Sequence, residues 1–252
     1  MRRFTIAPEQ VEGDRVRFDA AETRHMAVVL RLAPGDVVVA GDGQGRDYTV
    51  RLETLAPTAT GTVLAVRPSA AESPLTLTLL QGVPKGDKME AIVRAATELG
   101  VARIVPLLTE RTIVRLEPSR WRDRARRWQR VAREAAKQCG RAVVPVVDVP
   151  APLEPALAAV QAELRLCLWE GAAPLLATAL EGLATTPTSA AVLVGPEGGL
   201  ARTEVEAARA AGWQVVGLGP RILRTETAGP AIAAILQFRF GDVGRARGST
   251  AS

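Results

Sequence analysis

The sequence predicts two domains, a small β-barrel followed by a larger α/β domain with a mostly parallel, helix-covered sheet. Up to residue 66 the apolar residues come in short β-branched runs separated by turn residues; beyond residue 75, strand-length apolar runs alternate with stretches of helical period. Between the two, Pro68-Ser69-Ala70-Ala71-Glu72-Ser73-Pro74 gathers small residues between prolines, as a short linker does. The expected division is 1–70, 71–244 and a disordered tail over 245–252. At 252 residues the chain can bury two cores, and with 47% hydrophobic but only 4% aromatic residues those cores must be built from Ala, Val and Leu.

In the first domain, strands are expected at Arg15 to Phe18, Asp36 to Ala40, Tyr48 to Leu52 and Thr60 to Val66. Gly41-Asp42-Gly43-Gln44-Gly45 lies between two of them and reads as a hairpin loop, because no helix follows to make it a dinucleotide fingerprint. A helix starts at Asp19, with Glu22 completing a capping box and Met26, Val29 and Leu30 facing inward. It carries His25, the only histidine, so a Ser-His-Asp triad or a multi-histidine metal site would have to be built without a second one, which disfavours both. His25 is assigned no catalytic role.

After the linker, Leu75 to Leu80 reads as a strand, and Met89, Ile92, Val93, Ala96 and Leu99 recur at helical spacing until Gly100. Strands follow at Val101 to Leu107, Leu164 to Trp169, Ala191 to Val194 and Gln214 to Leu218, with helices at Ser119 to Gln138, from near Thr203, and at Ala231 to Phe238. This βαβ series calls for a parallel sheet.

The 32 Lys and Arg against 27 Asp and Glu give a net charge of +5, which favours a polyanionic partner. Basic residues concentrate between Arg115 and Arg141, where Arg120, Arg122, Arg124, Arg126, Arg127, Arg130, Arg133 and Lys137 face only Glu117, Asp123 and Glu134. Such a stripe suits phosphates, and equally describes a solvated face over a core stripe of Trp121, Ala125, Trp128 and Ala132. Cys139 and Cys167 lack the spacing of a zinc site or a disulfide framework, and no apolar run approaches a membrane span. A cytoplasmic protein without membrane or metal is expected.

Two loops carry the chemistry. Gly195-Pro196-Glu197-Gly198-Gly199 follows an apolar strand directly, at the edge where open α/β sheets bind ligands, and its glycines allow close backbone approach. Gly219-Pro220 with Arg221, Arg224 and Glu226 occupies the same place after the next strand, where Thr225 or Thr227 can cap the following helix. A tight turn and a surface Arg224–Glu226 ion pair are the simpler readings of the same residues.

These loops, together with Pro84-Lys85-Gly86-Asp87-Lys88-Met89-Glu90, Thr97-Glu98-Leu99-Gly100, Thr109-Glu110-Arg111, Arg127-Trp128-Gln129-Arg130 and Ala135-Ala136-Lys137-Gln138-Cys139-Gly140-Arg141, resemble the RsmE family of small-subunit ribosomal RNA (uracil-N3)-methyltransferases of the SPOUT superfamily. Val29-Leu30-Arg31 and Pro34-Gly35-Asp36 resemble the family's PUA-like barrel, while Ala95 stands where many relatives carry Lys. The resemblance implies a SPOUT-type α/β domain with a trefoil knot, preceded by a PUA-like β-barrel. It implies S-adenosyl-L-methionine bound by Leu168, Trp169, Glu170, Val194, Gly195, Pro196, Glu197, Gly198, Leu218, Gly219, Ile222, Leu223, Arg224 and Thr227. It further implies methylation of 16S ribosomal RNA within the assembled small subunit by a homodimer. Arg224 is expected to stabilise charge on the uracil oxygens, with Glu197 or Glu226 acting as base or holding that arginine. RNA contacts are expected from Arg3, Arg24, Arg31, Arg111, Arg127, Arg130, Lys137 and Arg141. The alternative is a non-enzymatic RNA-binding ribosome assembly factor that uses only the barrel and the arginine stripe.

Overall fold

A computed structural model describes residues 2–69, 72–171 and 173–245. The chain forms two compact units, one comprising Met1–Glu72 with Ala136–Val144, the other Ser73–Ala135 with Pro145–Ala246. The expected boundary at Ala70 and Ala71 and all of the expected tail over 245–252 except Arg245 lie outside the described residues.

The first unit curls one six-stranded sheet around its core, in the order β1 (Arg3–Thr5), β4 (Val37–Gly41), β5 (Arg46–Thr54), β6 (Thr60–Pro68), β3 (Arg15–Arg17), β2 (Val11–Glu12). All neighbours are antiparallel except β1 and β4. Alternate residues turn inward, so Val38, Ala40, Tyr48, Val50 and Leu52 pack with Phe4, Phe18 and Met26. The Gly41–Gly45 segment is the expected hairpin: buried Asp42 accepts the amides of Gln44 (2.8 Å) and Arg46 (3.0 Å) on its Oδ1.

Helix α1 (Ala20–Arg24) starts at Asp19, whose carboxylate accepts the Glu22 amide at 2.7 Å. The reciprocal half of the capping box is not made, because the Glu22 carboxylate instead accepts Lys137 Nζ at 2.6 Å and the Thr5 amide at 3.3 Å. The helix then widens into a π turn over His25–Val29, closed by the Leu30 amide donating to the His25 carbonyl. That wider turn breaks the three-to-four spacing, so Met26 is fully buried whereas Val29, expected inside, is 66% exposed.

The second unit is built on β7 (Thr76–Gly82), β8 (Val101–Leu108), β9 (Val146–Val147), β10 (Ala151–Pro152), β11 (Leu164–Leu168), β12 (Ser189–Val194) and β13 (Gln214–Val216). They run in the order β10-β8-β7-β12-β11-β13, with β9 also beside β8, and every pairing is parallel. The helices are α2 (Lys88–Glu98), α3 (Pro118–Cys139, whose residues from Ala136 on belong to the first unit), α4 (Leu153–Ala159), α5 (Leu176–Glu181), α6 (Arg202–Ala210) and α7 (Thr225–Phe240). Parallel strands covered by helices bury both faces, hence the continuous apolar run Ala190–Val194 in β12 and the burial of consecutive residues in β7 and β11. Burial among them pushes the Cys167 thiol up to about 12, which makes it a packing residue rather than a nucleophile.

Helix α7 begins six residues before the expected start at Ala231 and passes through Gly229-Pro230. Gly229 lets the helix lie close to β7, since a Cβ there would come within 3.0 Å of Gln81 Oε1 and 3.4 Å of Leu79. Pro230 gives up only the bond to the Glu226 carbonyl, one turn from the helix start.

Candidate active site

Strands β12, β11 and β13 are neighbours, so the loops that follow them leave the same carboxyl edge of the sheet. Together they enclose a cavity of about 470 Å³, within the usual range for a small-molecule site. Leu168, Trp169 and Glu170 line it from the first loop, and Val194, Gly195, Pro196 and Glu197 from the second. Leu218, Gly219, Ile222, Leu223 and Arg224 line it from the third, Glu226 from the first turn of α7, and Lys88 from the start of α2. Two expected residues do not line it. The Gly198 carbonyl is turned away to accept from Arg111 at 2.7 Å, and Thr227 lies exposed on α7 while Thr225, Glu226 and Ala228 face the cavity.

The second loop needs its glycines. A turn closes through the Gly199 amide and the Pro196 carbonyl (2.9 Å), and it brings Gly195 so near Gly199 that a Cβ on Gly195 would sit 2.7 Å from backbone carbon. Gly199 has φ of +69°, and a Cβ there would meet Glu170 Oε1 at 2.6 Å, so this glycine also admits the carboxylate of the first loop.

Below the loops a buried amide ties the site together. Gln81, at the end of β7, donates from Nε2 to Thr225 Oγ1 (2.8 Å) and the Gly82 carbonyl (3.1 Å), and Thr225 donates to the Gly195 carbonyl (2.7 Å). The carbonyl neighbours accept only, which orients the Gln81 amide and leaves its Oε1 buried without a partner. Thr225 therefore does not cap α7 as expected; Arg224 occupies the N-cap position, and its side chain makes no cap bond.

The charged groups are arranged around Lys88. Its ammonium lies 3.0 Å from Glu197 Oε1 and 3.6 Å from Glu226 Oε2. Glu197 also accepts the Lys85 amide at 3.0 Å. Burial pushes the Glu197 carboxyl up, but its own amide, the Lys88 ammonium and the Lys85 amide outweigh that and hold it below its ordinary value. The hydrogen bond to Glu197 in turn holds Lys88 above its ordinary value. Neither carboxylate pairs with Arg224 among the described residues, contrary to the expected Arg224–Glu226 contact; the compact ammonium takes the place between them. Lys88 was missed as a site residue although it stands in a quoted motif. Its only sequence signal is a lysine at the start of a helix after a strand, which any solvated helix shows.

Five of the eight expected RNA-binding residues are engaged by other groups of the protein. Arg3 makes a two-pronged pair with Asp47 (2.6 and 2.8 Å), Lys137 pairs with Glu22, and Arg127 with Glu90 (2.6 Å). Arg141 is only 8% exposed and is paired with Glu72 (2.9 Å), whose other oxygen accepts the Ala142 and Val143 amides, so it is an internal cation rather than a surface contact. Arg111 is held by the Gly198 carbonyl, while Arg24, Arg31 and Arg130 are exposed. Among the described residues no group of three or more His, Cys, Asp or Glu is placed to hold a metal ion, and no helix is long and apolar enough to cross a membrane.

A family model for an RNA methyltransferase domain matches residues 71–237, and one for an RNA methyltransferase PUA domain matches residues 18–58. The ribosomal RNA small subunit methyltransferase E of Synechocystis sp. is 37% identical over 234 residues, covering 92% of this chain and 75% of that protein. This chain belongs to the ribosomal RNA small subunit methyltransferase E family. Another member, from Bacillus subtilis, is 32% identical over 239 residues, covering 90% of this chain and 93% of its own. Among solved structures, the family member from Neisseria gonorrhoeae bound to S-adenosyl methionine superposes with a TM-score of 0.84 at 35% identity, covering 96% of this chain and 99% of that one. A methyltransferase from Legionella pneumophila in complex with the same cofactor gives 0.82 at 29% identity, covering 95% and 98%. The fold class implied by the resemblance therefore stands: a SPOUT-type α/β methyltransferase domain preceded by a PUA-like domain.

Proposed function

We propose that this chain is an S-adenosylmethionine-dependent methyltransferase of 16S ribosomal RNA and that it modifies N3 of a uridine. The observation that carries this reading is the single cavity formed by three strand-end loops, in a fold shared with relatives solved with that cofactor.

The cavity fits the cofactor in size and chemistry. The peptide groups of Leu218, Ile222 and Leu223 make no backbone hydrogen bonds among the described residues, so they are free to read the adenine edge. Leu168, Leu175 and Ile222 supply apolar contact, and the carboxylate of Glu170, which Lys88 does not neutralise, suits a ligand bearing positive charge. Once bound, S-adenosylmethionine supplies a methyl group activated by its sulfonium. Arg224, without an ion-pair partner among the described residues, stabilises negative charge on the uracil carbonyl oxygens. The target nitrogen lies on the Watson–Crick edge, so the base enters unpaired or flipped out of its stack.

The same reading assigns residues 1–70 to RNA binding and 71–244 to catalysis. Exposed Arg24, Arg31 and Arg130 are the side chains best suited to phosphate contacts. It takes the loops around α7 as a trefoil knot, since all three converge where α7 begins. It also pairs two copies through α7, where Ile235 and Phe238 are 41% and 69% exposed. The cytoplasm and the assembled small subunit complete it. The test is incubation with labelled S-adenosylmethionine and unmodified small subunits, with the product mapped by reverse transcription, which methylation at N3 arrests. Label found only on transfer RNA or on protein overturns the assignment.

A further inference from the structure

The two carboxylates beside Lys88 are not equivalent. Glu197 is fully engaged: Oε1 accepts both the Lys88 ammonium and the Lys85 amide at 3.0 Å, and Oε2 lies 3.3 Å from the same amide. Glu226 is held more loosely, through its buried Oε2 alone, 3.6 Å from the ammonium, and Oε1 is the oxygen that no ion pair engages. On the first turn of α2, Glu90 is taken by Arg127 at 2.6 Å, and Asp87 lies 3.8 Å from the same guanidinium, so neither competes for Lys88. The other charged groups lining the cavity are Glu170, Arg221 and Arg224.

We infer that Lys88 is a positioning residue: it clamps Glu197 into a structural role and orients Glu226 as the proton acceptor for the target base. The inference rests on the uridine reading above. In the step, the uracil N3–H bond breaks as an O–H bond forms on Glu226 Oε1, and the electron pair stays on the nitrogen. Lys88 keeps all three protons, because the Glu197 hydrogen bond raises its pKa. Glu197, held ionised by two donors, is the poorer base of the pair.

Lys88→Met and Lys88→Arg test this in the full-length protein. In the ligand-free protein, carboxyl carbon NMR should show Glu197 titrating at higher pH in Lys88→Met than in wild type, the direction expected when a cation is withdrawn. Turnover of Lys88→Met should fall about 100-fold while calorimetric affinity for S-adenosylmethionine stays within about threefold, and Lys88→Arg should recover at least about tenfold of the loss. Glu226→Gln should be more damaging than Glu197→Gln. Wild-type turnover in Lys88→Met, an unmoved Glu197 titration, a loss confined to cofactor affinity, or a Glu226→Gln enzyme that works normally overturns the inference. A wild-type protein that methylates no small-subunit RNA instead overturns the functional reading, while the NMR titration still reports on the clamp.

Discussion

Gly41-Asp42-Gly43-Gln44-Gly45 and Gly195-Pro196-Glu197-Gly198-Gly199 have nearly the same composition, three glycines and one acid in five residues, yet it is the second that lines the cavity of the candidate site. In the first, the chain returns at once as the antiparallel partner strand, and Asp42 turns inward to accept two amides of its own loop. Its carboxylate is consumed locally, and its backbone is tied down elsewhere, the Gly45 amide donating to the Ala142 carbonyl and the Gly45 carbonyl accepting the Ser69 amide. The second follows a parallel strand, from which the chain leaves through α6 to β13, a partner of β11 and not of β12, so the loop stays open at the sheet edge. Its acid reaches Lys85 and Lys88 on a different segment. A glycine-rich loop with an acid becomes a candidate site when its polar groups are left for something other than the loop itself.

The largest effect expected on this contrast is from Arg224→Ala, which should lower turnover by roughly 10²- to 10³-fold with cofactor affinity largely kept, whereas Arg46→Ala beside the first loop should leave turnover unchanged. Steady-state kinetics and calorimetry on both variants check it. Next comes a matched pair of glycine changes. Gly195→Ala forces a Cβ against backbone 2.7 Å away and should weaken S-adenosylmethionine binding by about tenfold or more. Gly43→Ala meets open space at φ of +72° and should cost only about 1 kcal/mol in a denaturant melt, with no change in binding. Equal effects from the two glycines would remove the distinction.

Gln81→Met should reduce stability by about 1–3 kcal/mol, because it removes the donors from Thr225 and Gly82 inside the core under the second loop. Thermal melts of Gln81→Met, Thr225→Val and the double variant should be non-additive. The smallest effect concerns pH. The Glu197 carboxyl titrates below its ordinary value in the folded chain, so its contribution is complete above the unfolded carboxylate pKa of about 4.3 and is lost as pH falls through the lower folded value. For so exposed a group that contribution is about 0.5 kcal/mol or less. Chemical denaturation of wild type and Glu197→Gln between neutral pH and pH 3 should converge at the acid end.

Much of the fold was legible because it is written in local period. The seams of β7, β8, β11 and β12, the α2 stripe of Met89, Ile92, Val93 and Ala96, and the Gly41–Gly45 hairpin all appear where alternation or helical spacing places them. The misreadings share a cause, tertiary packing that overrides a local rule. Val29 turns outward because the helix widens after Arg24, and α7 runs through Gly229-Pro230 because it needs a glycine to lie against Gln81. Strand β1 is only three residues long and takes its place from β4, so it carries no pattern of its own.

At the site, glycine punctuation after apolar strands marked the second and third loops, and the family resemblance supplied the ligand. Gly198 and Thr227 belong to the right segments but face elsewhere, a matter of one residue of rotation that spacing does not resolve. Arg141 belongs to a basic run and yet is buried against Glu72, because charge density along a chain does not say which cation a buried carboxylate will take.

The sequence by itself determined a strand-rich part followed by a parallel α/β part, with glycine loops at strand ends, because periodicity and turn chemistry are properties of neighbouring residues. The tertiary structure alone decided which charges meet. Lys88 and Glu197 are 109 residues apart, and Gln81 and Thr225 are 144 apart. Their bonds exist because the sheet order brings β7 beside β12, a choice made by the burial of whole strands and not by any pattern around the residues that benefit from it.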